Sequence, residues 1–268
     1  MRGLFVTGTD TGVGKTFLVG QIAQSLNDQG VRYGIYKPAC SGAAGGPMDA
    51  IYNPHYDDVE AHFASLRGAF PRDRICPQCF VAPLAPSVAA RREGKQVDAK
   101  LLRSGVDWWR GRVDALIVEG AGGFLSPLSD DDLVADVACD LGFPVVVVGR
   151  LGLGTINHTL LTIEAIRRRG LPIAGIVLNQ ATPGASGLAE ESNPAELKRL
   201  TDVPLLGILP FVPIDVTLWN DVAGGVSFSP QDVTASPQSG LRREVNSIRM
   251  DWFELMREPG GVPPRTGS

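Results

Sequence analysis

Short apolar runs alternate along this chain with stretches whose apolar residues recur every three or four positions, a pattern that predicts buried strands alternating with amphipathic helices. Leu4-Phe5-Val6 reads as a first strand, and Phe17, Leu18, Ile22, Ala23 and Leu26 line one face of the helix behind it. Val31 to Tyr36 reads as a second strand, stopped by Pro38. A helix is predicted from Asp57-Asp58 to about Arg67, with those acids as caps, and another from Ser87 to Glu93 inside an irregular, proline-spaced stretch over 68–98. Strand character returns at Ala115 to Val118, closed by Glu119-Gly120-Ala121-Gly122-Gly123. A helix follows from about Asp132 to Leu141, capped by Ser129 to Asp132, and then a run of buried-strand character, Pro144 to Gly149. The glycine-rich turn 151–155 feeds a helix from Ile156 to Arg169; Ile173 to Asn179 is strand, Pro194 to Leu200 helix and Leu205 to Leu209 strand. Strands that are apolar throughout are covered on both faces, so the expected fold is a single α/β domain with a mostly parallel sheet flanked by helices on both sides.

The texture changes near residue 214, which divides a body over 1–213 from an extension over 214–268. Residues 43–56 read as a mobile loop. Residues 226–240 are rich in Ser, Pro, Gln and Gly and read as a linker. Leu241, Val245, Ile248, Trp252 and Leu255 then share one face of a helix over about 241–257, and the last ten residues are expected to be disordered. Between 242 and 258 four Arg oppose four acids. A membrane-surface helix would be basic, so this one is expected to dock on the body or on a partner chain.

Composition narrows the classes of function. With 268 residues, 44% of them hydrophobic, the chain has ample material for a core. A formal charge of −4 argues against a duplex-binding surface and no nucleic-acid partner is expected. Four irregularly spaced cysteines are too few for a secreted disulfide framework, no apolar run reaches membrane-spanning length, and the first strand begins too early to leave room for a signal segment. A cytoplasmic protein with no membrane partner is the expectation.

The chemistry concentrates in Thr7-Gly8-Thr9-Asp10-Thr11-Gly12-Val13-Gly14-Lys15-Thr16. A strand, a glycine-bearing loop, a Lys-Thr pair and a helix build a phosphate cradle. Glycines at 12 and 14 let backbone N–H groups approach phosphate oxygens, Lys15 can reach the β and γ phosphates, and the Thr16 hydroxyl can join a Mg²⁺ shell. Five residues separate Gly8 from Gly14, one more than the usual pattern allows.

Lys15, Thr16, Lys37, Ser41, Glu119 and Asn179 each follow a predicted parallel strand, so the fold gathers them on one sheet edge, where open α/β sheets bind ligands. Glu119 stands where an acidic Mg²⁺ ligand would, and Asp58 or Asp57 could supply another. Lys37 admits three readings: a surface lysine, a structural ion pair, or a second cation facing a transferred phosphoryl group. Asn179 could meet a purine edge or cap the following turn. Cys76-Pro77-Gln78-Cys79 has CxxC spacing without a second pair, so a zinc site is not expected, and His55, His62 and His158 lie on separate elements. Trp108-Trp109 reads as core and subunit surface.

The strings GTDTGVGKT, YKPACSG, VEGAGGFLSPLSD, GLGTINHT and GIVLNQATP, in this order, closely resemble the dethiobiotin synthetase family, with P-loop NTPase architecture, over about residues 1–213. The long phosphate loop is that family's own variant. The resemblance implies ATP- and Mg²⁺-dependent closure of a ureido ring on 7,8-diaminopelargonic acid with CO₂, releasing ADP and phosphate. It implies catalytic roles for Lys37, Lys15, Thr11 and Ser41, and ATP contacts from Gly12, Val13, Gly14, Lys15, Thr16, Glu119, Gly122, Asn179 and Pro210. It also implies Mg²⁺ ligation by Thr16, Asp58 and Glu119. Members work as homodimers in which the diamine's carboxylate tail meets Gly154, Thr155 and Asn157 of the partner, Ser41 being the other substrate contact. Asn193 stands where some members carry a tyrosine, and Gly12 where others carry Glu.

Two rivals share the scaffold. Cobyrinate diamide synthetases add an amidotransferase domain with a nucleophilic cysteine, which the length and the surroundings of Cys139 do not accommodate. Partitioning-type switch ATPases place a second lysine early in the phosphate loop, where this chain has Asp10.

Overall fold

A computed structural model describes residues 1–44, 54–180, 187–211 and 250–257. The strands are β1 (Arg2–Gly8), β2 (Tyr33–Tyr36), β3 (Cys40–Ser41), β4 (Cys79–Phe80), β5 (Ala115–Gly123), β6 (Val145–Arg150), β7 (Ile173–Asn179) and β8 (Leu205–Leu209). Six of them form one sheet in the order β2-β5-β1-β6-β7-β8, and every neighbouring pair in it is parallel. Phe5, Val6, Ile117, Val118 and Val145 to Val148 have no exposed surface, as the unbroken apolar runs require of a sheet covered on both faces.

The helices are α1 (Lys15–Asp28), α2 (Asp57–Ser65), α3 (Arg72–Ile75), α4 (Pro86–Arg92), α5 (Leu101–Ser104), α6 (Val134–Leu141), α7 (Thr155–Arg168), α8 (Leu188–Leu200) and α9 (Trp252–Leu255). The apolar stripe of α1 is realised in buried Leu18, Val19, Ile22, Ala23 and Leu26, where a fully buried leucine or isoleucine contributes roughly 1.5–3 kcal/mol. Trp109 is buried with Phe70 packed edge-on, their centroids 4.9 Å apart, so at least that half of the tryptophan pair belongs to the core.

Several expectations need correcting. The helix placed at Pro194 to Leu200 begins earlier, at Leu188, where Glu190 accepts the Gly187 N–H at 3.0 Å. Pro194 therefore sits inside the helix and forfeits one i→i−4 bond, which buried Asn193 and Leu197 on either side offset. The α6 cap is Leu133, whose N–H donates to the carboxylate of Asp136 in the first turn at 2.8 Å. Ser129 to Asp132 instead forms a tight turn, with the Ser129 hydroxyl donating to Asp132 at 2.7 Å. The stretch over 68–98 is less irregular than expected: besides α3 it contains β4, which pairs with β3 in a separate two-stranded parallel sheet.

Of the extension, only 250–257 lies among the described residues; the expected linker over 226–240 and the first part of the helix over 241–257 lie outside them, as does 45–53 of the expected loop. The short helix α9 is capped by Asp251 and buries Trp252, with Met256 beside it, against the main core. The Gly3 N–H donates to the Arg257 carbonyl at 2.9 Å, which joins this segment to β1.

Candidate active site

The phosphate loop leaves β1 at its C-terminal end in the middle of the sheet and turns into α1 through Gly14, whose φ of 98° is left-handed. A Cβ there would also lie 2.1 Å from the amide nitrogen of Asn179, so both conformation and space demand glycine. That nitrogen donates to the Val13 carbonyl at 3.0 Å, clasping the loop from the end of β7. The Lys15 ammonium folds back onto the Asp10 carbonyl at 3.0 Å. Burial lowers the proton affinity of Lys15, Glu119 opposes that, and the charge of nearby Lys37 lowers it further.

At the head of α1, side chains from α1, α2, β5 and the loop after β2 converge. The Thr16 hydroxyl lies 2.7 Å from Asp58 Oδ1 and 3.1 Å from Glu119 Oε1. The Lys37 ammonium donates to Asp58 Oδ2 and to Glu119 Oε1, each at 2.6 Å. Glu119 is wholly buried at the point where β5 passes the loop. Burial alone would raise its pKa, but Lys37 and then His62 hold the carboxylate well below the ordinary range. Burial likewise works against the Lys37 ammonium, and Glu119 and Asp58 overcome it, holding its pKa well above the ordinary value. Asp58 follows the same logic, with Lys37 outweighing burial to keep it ionised. Asp57, one step round α2, points to solvent with 82% of its side chain exposed. Helical rotation thus separates two acids that the residues alone left open, with Asp58, the one the family resemblance favoured, turned inward. Lys37 is a buried ion pair, which sets aside the surface reading and bears out the structural one.

The other expected residues lie around this centre. Thr11 is exposed on the loop, and its N–H is held by Asp10 Oδ1 at 2.7 Å. Ser41 donates to the Leu84 carbonyl from β3. Gly122 turns with a φ of 71° where a Cβ would meet Ser126 Oγ at 2.5 Å. Pro210 follows β8, half-buried, beside the Gln180 N–H that donates to Leu209 at 2.9 Å. Gly154 caps α7 in the left-handed region with a φ of 90°, and Asn157 stands exposed on the first turn. The Thr155 hydroxyl turns inward, 3.4 Å from that of Thr159, so only its backbone faces the helix mouth. Asn193 is buried and donates to the Leu151 and Gly152 carbonyls at 2.8 and 3.0 Å, which fixes the turn that carries Gly154.

Sequence reasoning missed Arg150 and His62. Arg150 closes β6 and bonds Asp10 Oδ2 and the Thr11 carbonyl, both at 3.1 Å; its place after an apolar run was the available signal. His62 is fully buried with Nε2 2.9 Å from Glu119 Oε2, a close approach without hydrogen-bond alignment. Its spacing of four residues from Asp58 on one helix was the signal there.

The CxxC pair is joined by a third thiol. Cys40 Sγ lies 3.3 Å from Cys79 Sγ, which is 3.6 Å from Cys76 Sγ. Hydrogen bonding with Cys40, then Cys76, lowers the Cys79 thiol to about 4. No described helix is long and apolar enough to cross a membrane.

A family described as AAA domain matches residues 2–215. The ATP-dependent dethiobiotin synthetase BioD of Anaeromyxobacter dehalogenans strain 2CP-C is 47% identical over 214 residues, covering 80% of this chain and 92% of that protein. The protein of the same name from Bacillus subtilis strain 168 is 41% identical over 211 residues, covering 78% and 87%. Among solved structures, a ParA family ATPase from Chlorobium tepidum TLS aligns over 89% of this chain and 94% of that one, at 14% identity and a TM-score of 0.49, a similarity too slight to bear on function.

Proposed function

Since the chain belongs to the ATP-dependent dethiobiotin synthetase family, and is thereby an ATP-dependent ligase of biotin biosynthesis, we propose that it closes the ureido ring of dethiobiotin on 7,8-diaminopelargonic acid with CO₂. One amine takes up CO₂ as a carbamate. A carbamate oxygen attacks the γ-phosphorus of ATP as the bond to ADP breaks, and the second amine then attacks the carbamate carbon and expels phosphate. The observation that carries this reading is the Thr16–Asp58–Glu119–Lys37 cluster at the head of the phosphate loop.

Two carboxylates and a hydroxyl converging beside a phosphate cradle are the donor set that suits Mg²⁺, and Thr16, Asp58 and Glu119 would hold it. When bound, the ion neutralises charge on the β and γ phosphate oxygens. Lys15 and Lys37 supply further positive charge where negative charge builds up during transfer, a contribution largest in a site closed to water. The N–H groups around Gly12, Val13 and Gly14 cradle the phosphates, with Gly122 alongside, while Thr11 and Ser41 hold carbamate and phosphate oxygens. Asn179 keeps its nitrogen on Val13 and offers its carbonyl oxygen to the exocyclic amine of adenine, near Pro210.

The tail carboxylate is assigned to the first turn of α7, where free backbone N–H groups and Asn157 can receive it. Leu153, 94% exposed beside that turn, and Leu161, 61% exposed on α7, support burial by a second copy of the chain, hence a homodimer. A cytoplasmic location and a synthetase body over 1–213 complete the proposal, with 250–257 packed onto that body. The test is phosphate release from MgATP with bicarbonate, with and without the diamine, alongside mass detection of dethiobiotin. Release that does not depend on the diamine, or no dethiobiotin formed, would overturn it.

A further inference from the structure

The minor sheet brings three thiols together. Strands β3 and β4 are two residues each, and backbone bonds from the Gly42 and Ala43 N–H groups to the Phe80 and Val81 carbonyls carry the pairing on. Its first register pair is Cys40 with Cys79, and Cys76 closes on them from the turn after α3. Cys40 and Cys76 are buried, Cys79 is partly exposed, and Val59 and Tyr56 wall the group.

We propose that Cys40, Cys76 and Cys79 form a site for a thiophilic divalent cation of the zinc class, which clamps β3 to β4 one residue before Ser41. All three sulfurs lie within 4.8 Å of one another. Zinc–thiolate bonds of about 2.3 Å place tetrahedral sulfurs roughly 3.8 Å apart, and the observed 3.3 and 3.6 Å need only small adjustments to reach that. Each thiol that binds gives its proton to solvent, and Cys79 lies open enough for water to take the fourth position. A disulfide within the trio would use two thiols and leave the third in an apolar pocket with no role; a metal uses all three. The fourth cysteine of the chain, Cys139, lies elsewhere, 4.0 Å from the Arg169 carbonyl, and serves as an internal control.

The full-length, fully reduced protein is titrated with Co²⁺ and, separately, reconstituted with Zn²⁺. One equivalent of Co²⁺ should produce an intense thiolate-to-cobalt charge-transfer band, which an oxygen-ligated Mg²⁺ site cannot give. Zn²⁺ should displace it and raise the midpoint of thermal unfolding. Cys79→Ser should lose the band and the thermal shift, while Cys139→Ser keeps both. Absence of the band in the reduced wild type, equal loss in Cys139→Ser, or, in the protein as purified before reduction, a mass lower by two hydrogens with no metal bound would each overturn the site, the last in favour of a disulfide.

Discussion

Replacing Lys37 with Met keeps most of the side-chain volume and removes one charge, so it isolates what that ammonium does. In the free enzyme Lys37 is 3% exposed and faces Glu119, which is not exposed at all. Deleting one partner of a buried pair costs about 3–5 kcal/mol because the other is left uncompensated. The Asp58 arm adds little, since that side chain is 45% exposed and solvent screens it. For a chain of this size each kcal/mol moves the thermal midpoint by about 2–4 °C, so Lys37→Met should lower it by roughly 6–20 °C. Mg²⁺ bound between Asp58 and Glu119 would replace the missing charge and recover most of that loss. Turnover should not recover. If Lys37 meets the γ-phosphoryl only as it transfers, kcat falls about 10²-fold or more with little change in the KM for ATP. Calorimetry with and without Mg²⁺, paired with single-turnover phosphate release, measures both effects. A midpoint within about 2 °C of the wild type, or Mg²⁺ restoring turnover together with stability, would refute the reasoning.

Four further outcomes follow from the same geometry. Asn157→Ala should raise the diamine KM about tenfold with kcat little changed, as expected for one lost hydrogen bond to a charged group; a pure kcat effect in steady-state kinetics would contradict the tail assignment. Leu161→Asp should shift the sedimenting species from dimer to monomer, and an unchanged sedimentation coefficient would remove α7 from the interface. Trp252→Ala should destabilise by about 3–5 kcal/mol in urea unfolding, because the side chain is 1% exposed in the main core. The pH dependence has a definite sign. Glu119 and Asp58 are depressed, so their contribution is complete above about 4.3 and lost only as pH falls through their folded values; Lys37 is raised, so its contribution is complete below about 10.4 and lost as pH climbs through its folded value. The stability difference between wild type and Lys37→Met in Mg²⁺-free buffer should therefore shrink on acidification, as the unpaired Glu119 takes up a proton, and a difference that grows would contradict the pairing.

The main sheet was legible because buried parallel strands are written as unbroken apolar runs, and the site was legible because its polar residues stop those runs at one end. The residues alone could not separate Asp57 from Asp58, since that needs the rotation of α2 about its axis, and only the family resemblance favoured Asp58. Pro194 misled because proline is favoured at a helix start, whereas here the Glu190 cap four residues before it and the buried side chains of Asn193 and Leu197 hold a longer helix together. The cysteine trio had no periodic trace at all: Cys40 and Cys79 meet through a sheet two residues long, too short for any alternation to register. Asn193 is similarly silent, since an amide that bonds two loop carbonyls looks in sequence like any surface asparagine.

The contact between Gly3 and Arg257, with Trp252 seated nearby, bears on how the molecule is made. Translation delivers β1 first and this closing segment long afterwards, so the apolar surface that Trp252 covers stays uncovered while most of the polypeptide is still being synthesised. A nascent chain therefore leaves that surface open until residues 250–257 have left the ribosome, and a premature stop before them would release a product without the Gly3–Arg257 contact and the Trp252 cover.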